Sequence, residues 1–202
     1  GGLTKVFAGI VIAPIGGIIF GLLITTLIIT IFASKRPGPV NKTFGKLQII
    51  SSAWFALTHG ANDGQKTMGI IVLILFSAGL IPELEMPLWV IFAAATAMGL
   101  GTFFGGYKVI KTLGVKITKL KPYQGFAAET SGGLMLAIFA VFGIPASTTH
   151  AITGTIMGSG AARRKRAVRW KVSRQIVFSW IITIPGGASM AIGFTYLIHL
   201  FV

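Results

Sequence analysis

Cysteine is absent from this 202-residue chain, so neither a disulfide nor a thiolate metal site can contribute to its fold or chemistry, and cysteine usage leaves the redox compartment open. Carboxylates are nearly as scarce, with four Asp and Glu against 18 Lys and Arg. Charged residues make up only 11% of the chain, 53% is hydrophobic, and the mean hydropathy is +0.83. That balance excludes an ordinary soluble domain and points to a membrane protein. The first residues, GGLTKVF, lack an initiator Met and a charged region ahead of a cleavage motif. No signal peptide is expected there, and an internal fragment or a trimmed chain is the expected origin.

A net charge of +14 raises the alternative of a nucleic-acid partner, but that needs a basic face on a soluble module. The basic residues are placed otherwise. Sixteen of the 18 lie in Ser34–Lys46, Lys108–Lys121 and Arg163–Arg174, the pattern of cytoplasmic loops in a multi-pass protein of the cell membrane. No nucleic-acid partner is expected; membrane lipid is.

A hydrocarbon core about 30 Å thick takes roughly 20 helical residues, so apolar segments can be counted as crossings against those loops. Val6–Ala33 predicts one span. Leu47–Ile81 precedes the acidic loop IPELEMP, so it predicts a single crossing, with the polar run HGANDGQK (His59–Lys66) as a break inside it. Leu88–Tyr107 returns the chain to the second basic loop. Gln124–Ala162 lies between two basic loops and must cross an even number of times; Pro145 divides it into two arms, which predicts a re-entrant pair of half-helices. Gln175–Val202 leads outward, with Pro185, Gly186 and Gly187 expected to kink it. Small residues four apart, Gly17 and Gly21, Gly60 and Gly64, Gly101 and Gly105, Gly154 and Gly158, permit close helix contact in lipid.

Two of the four carboxylates, Asp63 and Glu129, fall inside apolar segments. An Asp at the centre of a membrane helix costs on the order of 3 kcal/mol, so it is expected to face a cavity, a cation or a partner. The alternative for Asp63 is an ion pair with Lys66, three residues on, that only fixes packing. In GIPASTTH (Gly143–His150) a proline break precedes three hydroxyl residues, Ser147, Thr148 and Thr149, and then a continuing helix. Free N–H groups and hydroxyls at such a helix start suit phosphate or sulfate; the plainer reading is N-capping by Ser147. Glu129 reads either as a cation or proton ligand or as a carboxylate snorkelling toward the adjacent loop. His59 and His150 read either as proton carriers or as satisfied polar groups in a bundle. Broken helices supply half-helix ends for an anion and carbonyls with carboxylates for a co-transported cation. No nucleophile and base stand in a recognisable arrangement, so an enzyme is not expected.

These motifs, HGANDGQKTMG at His59–Gly69, QGFAAETSGG at Gln124–Gly133 and PASTTHAITG at Pro145–Gly154, resemble those of the inorganic phosphate transporter family, the Pit-type permeases. The resemblance runs from Leu47 onward. It implies an all-α polytopic bundle with broken helices and a re-entrant helical hairpin, built from two inverted repeats and carrying orthophosphate with Na⁺ or H⁺. It places Asn62, Asp63, Gln65, Ser147, Thr148 and Thr149 at the phosphate and cation sites. Glu129 becomes a coupling or structural carboxylate, joining Asp63, Asn62 and Thr148 as cation ligands, with Asp63 and Glu129 on Na⁺ if sodium is the coupling ion. Lys66 either complements phosphate or discourages sodium.

The family pattern has two G-x-N-D and two S-T-T-H elements, whereas this chain has one of each. It therefore resembles a C-terminal repeat, residues 47–202, preceded by a helix at 1–33 and a basic linker at 34–46. The other repeat is expected from a portion outside this sequence or from a second chain, and a homo-oligomer is compatible with either. The alternatives are a permease for sulfate or another oxyanion, and a half-module that does not transport without its partner.

Overall fold

A computed structural model of the chain describes residues 2–199, and every regular element among them is helical. Six α-helices follow in order: α1 Gly2–Ile31, α2 Pro37–Ser77, α3 Leu88–Lys111, α4 Pro122–Val141, α5 Thr148–Arg163 and α6 Trp170–His199, with a short π-helical segment at Thr112–Ile117 and a 3₁₀ turn at Lys165–Ala167. They form two units, Gly1–Val168 and Arg169–Val202. The second is the single helix α6, which continues through Pro185. The expected span Gln175–Val202 ends outside the described residues.

Among the described residues, three segments, Thr4–Ile31, Leu88–Ile117 and Trp170–His199, are long and apolar enough to cross a membrane. In the first unit, α2 differs from expectation. HGANDGQK does not interrupt it, because the helix runs from Pro37 to Ser77, about 60 Å at 1.5 Å per residue. Local pairing explains why so polar a run stays helical. Asn62 Nδ2 donates to the Thr58 carbonyl at 3.1 Å and Thr67 Oγ1 to the Asp63 carbonyl at 3.2 Å, while Lys66 and His59 flank Asp63 one turn either way. Residues 37–46, expected as linker, are the first turns of this helix.

The break falls between α4 and α5. Gly143, at φ +59°, ends α4: its N–H bonds the Ala140 carbonyl and that of Ile144 bonds the Phe139 carbonyl, the Schellman closure that favours glycine. Pro145 follows and Ser147 caps α5. The two arms return antiparallel, since Gln124 near the start of α4 donates to the Ser159 carbonyl near the end of α5 at 2.9 Å. The expected pair of arms at Gln124–Ala162 is thus a helical hairpin, with α4 of 20 and α5 of 16 residues.

Helix α1 runs beside α5 with backbone against backbone. Its buried stripe is Gly9, Ala13, Gly17, Gly21 and Thr25, spaced four apart. A Cβ on Gly17 or Gly21 would strike the carbonyls of Ala151 or Thr155, and one on Gly154 or Gly158 those of Pro14 or Ile18. Two of the four small-residue pairs seen in the sequence therefore pack on each other. Gly60, Gly101 and Gly105 meet nothing within 4 Å. On the opposite side, Trp54 and Phe55 of α2 lie on Gly133 and Gly132 of α4. Ala13, Met135, Leu136, Phe139, Ala146 and Ala151 close the core at the level of the break.

Replacing Gly158 by Ala should cost about 1–3 kcal/mol of stability, because the new methyl meets backbone. Melting of the purified protein in detergent should show it as a lower midpoint, while Gly101→Ala leaves the midpoint in place; equal shifts would contradict the packing described.

Candidate functional site

Asp63 is the centre of the polar cluster. It lies near the middle of α2 and faces the start of α5. Its Oδ2 accepts a hydrogen bond from Thr148 Oγ1 at 2.8 Å and lies 3.1 Å from His59 Nε2; its Oδ1 is 3.0 Å from the Lys66 ammonium. Lys66 also donates a short hydrogen bond to the carbonyl of Ala146, within the α4–α5 connection. Carboxylate and ammonium together thus clamp α2 to both sides of the cap at Ser147, whose hydroxyl oxygen accepts from the His150 N–H at 3.4 Å.

These groups border an open cleft of about 360 Å³, lined by Asp63, Lys66, Ser147, Thr148 and Thr149, with Val6 and Ile10 of α1 as its apolar wall. The sequence reasons for this arrangement are local. Glycine and proline end α4 and prevent its continuation, serine starts α5, and the i, i+3 spacing of Asp63 and Lys66 puts both on one face of α2. Chemically, the cleft offers hydroxyls and helix-start N–H groups as donors, a carboxylate as acceptor, and an ammonium that offsets the carboxylate charge. A small tetrahedral oxyanion suits that set.

The other expected site residues do not line the cleft. Asn62 is buried and turned toward α4, where its Nδ2 donates to the Leu136 carbonyl at 3.3 Å. Gln65 is exposed and does not line the cleft. His59 stacks on Phe55 at 5.9 Å while touching Asp63. His150 hydrogen-bonds the backbone of Ile10, whose carbonyl lacks its helical partner because Pro14 carries no N–H.

Glu129 belongs to a separate cluster. Its carboxylate accepts from Ser51 Oγ at 2.6 Å and from Gln48 Nε2 at 3.3 Å. Ser51 and Asp63 are twelve residues apart on α2, about 18 Å along the axis, so the two carboxylates do not share one cation position. Gln48 and Ser51 escaped the reading of the sequence. The signal was there: Gln48, Ser51, Phe55, Thr58 and Asn62 recur every three or four residues and form the face of α2 toward α4.

The contact between helices is testable by a double-mutant cycle. Asp63→Ala and Thr148→Val should couple by about 1–2 kcal/mol, as expected for a hydrogen bond to a charged group. Unfolding in mixed micelles measures this, and additive losses would show that the two side chains do not meet.

The profile of the phosphate transporter family matches residues 33–191. A "Probable low-affinity inorganic phosphate transporter" of Rhizobium meliloti (strain 1021) is 47% identical over 188 residues, covering 93% of this chain and 56% of that protein. Its namesake in Bacillus subtilis (strain 168) is 38% identical over 190 residues, covering 94% of this chain and 57% of the relative. Among solved structures, one titled "The sodium-dependent phosphate transporter" aligns with a TM-score of 0.63 at 26% identity, over 86% of this chain and 52% of that one. The chain spans about half the length of the relatives it matches. All three carry names of phosphate transporters.

Proposed function

This chain belongs to the phosphate transporter family, and we propose that it supplies one half of a membrane transporter for inorganic phosphate. Its share of the substrate site is the cleft between Asp63, Lys66 and the start of α5. The observation that carries this reading is that convergence: Thr148 and Lys66 meet Asp63 beside a helix start whose hydroxyls face the cleft. Three apolar helices together with the transporter relatives mark a membrane protein. Its basic segments are cytoplasmic in this reading, and the second half of the site comes from the remaining length that the relatives possess.

Phosphate, and not sulfate, is the preferred anion. Near neutral pH phosphate keeps at least one proton and can donate to a carboxylate such as Asp63, whereas sulfate has none to donate. Transport is coupled to a cation, Na⁺ or H⁺, because a dianion beside Asp63 needs an added positive charge. Asn62 and Glu129 hold α2 on α4 so that the cleft keeps its shape, and sit outside the anion's contact shell.

Uptake of labelled phosphate into proteoliposomes by the full-length protein, under imposed Na⁺ and H⁺ gradients, tests this. Asp63→Asn should lower uptake more than tenfold with the protein still folded in the membrane, and excess sulfate should compete poorly. Normal cation-dependent uptake by the variant would refute the role given to Asp63.

A further inference from the structure

Of the 18 basic residues, 16 lie in the three basic stretches 34–46, 108–121 and 163–174; the remaining two are Lys5 and Lys66. Both donate to main-chain carbonyls of the same connection, Lys5 to Phe142 at 3.4 Å and Lys66 to Ala146. Their settings differ. Lys5 is at an exposed helix end, where a cation meets the carbonyls that close α4. Lys66 lies between a carboxylate oxygen of Asp63 and a carbonyl at a helix break, with its side chain 39% exposed.

A carboxylate oxygen and an unwound carbonyl are the oxygen donors that a hard monovalent cation takes in a broken-helix transporter. Here they are already bridged by an ammonium. The other oxygen of Asp63 is occupied as well, by Thr148 and His59. A metal ion entering beside Asp63 would have to displace Lys66 or sit against it, like charge on like charge. If the pair only fixed packing along α2, the i, i+3 contact with Asp63 would be enough. Lys66 instead reaches across 80 positions of sequence to the residue before the cap of α5.

On the reading that this cleft binds phosphate, we propose that Lys66 is a tethered counter-cation: its ammonium holds the position between Asp63 and the Ala146 carbonyl that a sodium ion would otherwise fill, so anion binding needs no sodium. Lys66 is then the residue that decides which cation the transporter uses. With the metal position filled by the chain itself, the co-transported charge is a proton.

The test uses the full-length protein in proteoliposomes and detergent, with wild type, Lys66→Ala and Lys66→Met compared in sodium and in choline. Wild-type phosphate uptake should be equal within about twofold in the two salts. Each variant should lose at least tenfold in choline and recover on adding sodium, and its melting midpoint should rise with sodium while that of wild type does not. Methylammonium, the free equivalent of the missing group, should restore Lys66→Ala in place of sodium. The proposal is overturned if wild-type uptake requires sodium, or if folded variants respond to sodium in neither uptake nor melting. Should neither variant fold, the wild-type comparison alone decides. Absence of wild-type phosphate uptake under every gradient would refute the phosphate reading instead, so the two failures are separable.

Discussion

One carboxylate fixes the relation between the long helix and the hairpin beside it. Asp63 takes hydrogen bonds from Thr148 and Lys66, and Lys66 passes on to Ala146, so both sides of the break between α4 and α5 are tied to a single level of α2. Those bonds sit at an open cleft, where exposed ion pairs contribute little by themselves. The packing behind them makes them effective. Backbone contact along Gly17, Gly21, Gly154 and Gly158 holds α5 on α1, and aromatic side chains on Gly132 and Gly133 hold α2 on α4. Without those close approaches the start of α5 would not face Asp63.

This division of labour separates what was legible in the sequence from what was not. A hydroxyl run after a proline break and a carboxylate in an apolar segment each have a direct physical cause, and each points to an element that the structure contains, whereas most of the basic stretch at 34–46 is helix and not linker. The continuity of α2 through HGANDGQK was not legible. Glycine, asparagine and aspartate in a row argue for interruption, and only the bonds from Asn62 to Thr58, Thr67 to Asp63 and Lys66 to Asp63 show why the helix persists. Nor does a motif say which way its members point. Asn62 and Asp63 are adjacent in the chain and lie about 100° apart around a helix, so one faces α4 and the other the cleft.

The small-residue pairs teach a related lesson. Four pairs had the same spacing, and only the two with partners on each other make close backbone contact. Spacing sets which residues share a face; the neighbouring helix sets whether that face is used. Glu129 follows the same rule. Its partners Gln48 and Ser51 lie about 80 residues earlier in the chain, too remote for any local pattern, yet the polar stripe on α2 carried them in register.

A cleft built for phosphate must be reachable by a reagent and shielded by the anion. Because these 202 residues contain no cysteine, Thr149→Cys is the one thiol they bring to the lining, and in the full-length protein with any other cysteine replaced its reaction with a small methanethiosulfonate can be followed with and without phosphate. Phosphate should slow that reaction in a saturable way and leave a thiol at the exposed position Leu73 unaffected. Equal reaction rates at Cys-substituted position 149 with and without saturating phosphate would contradict the account.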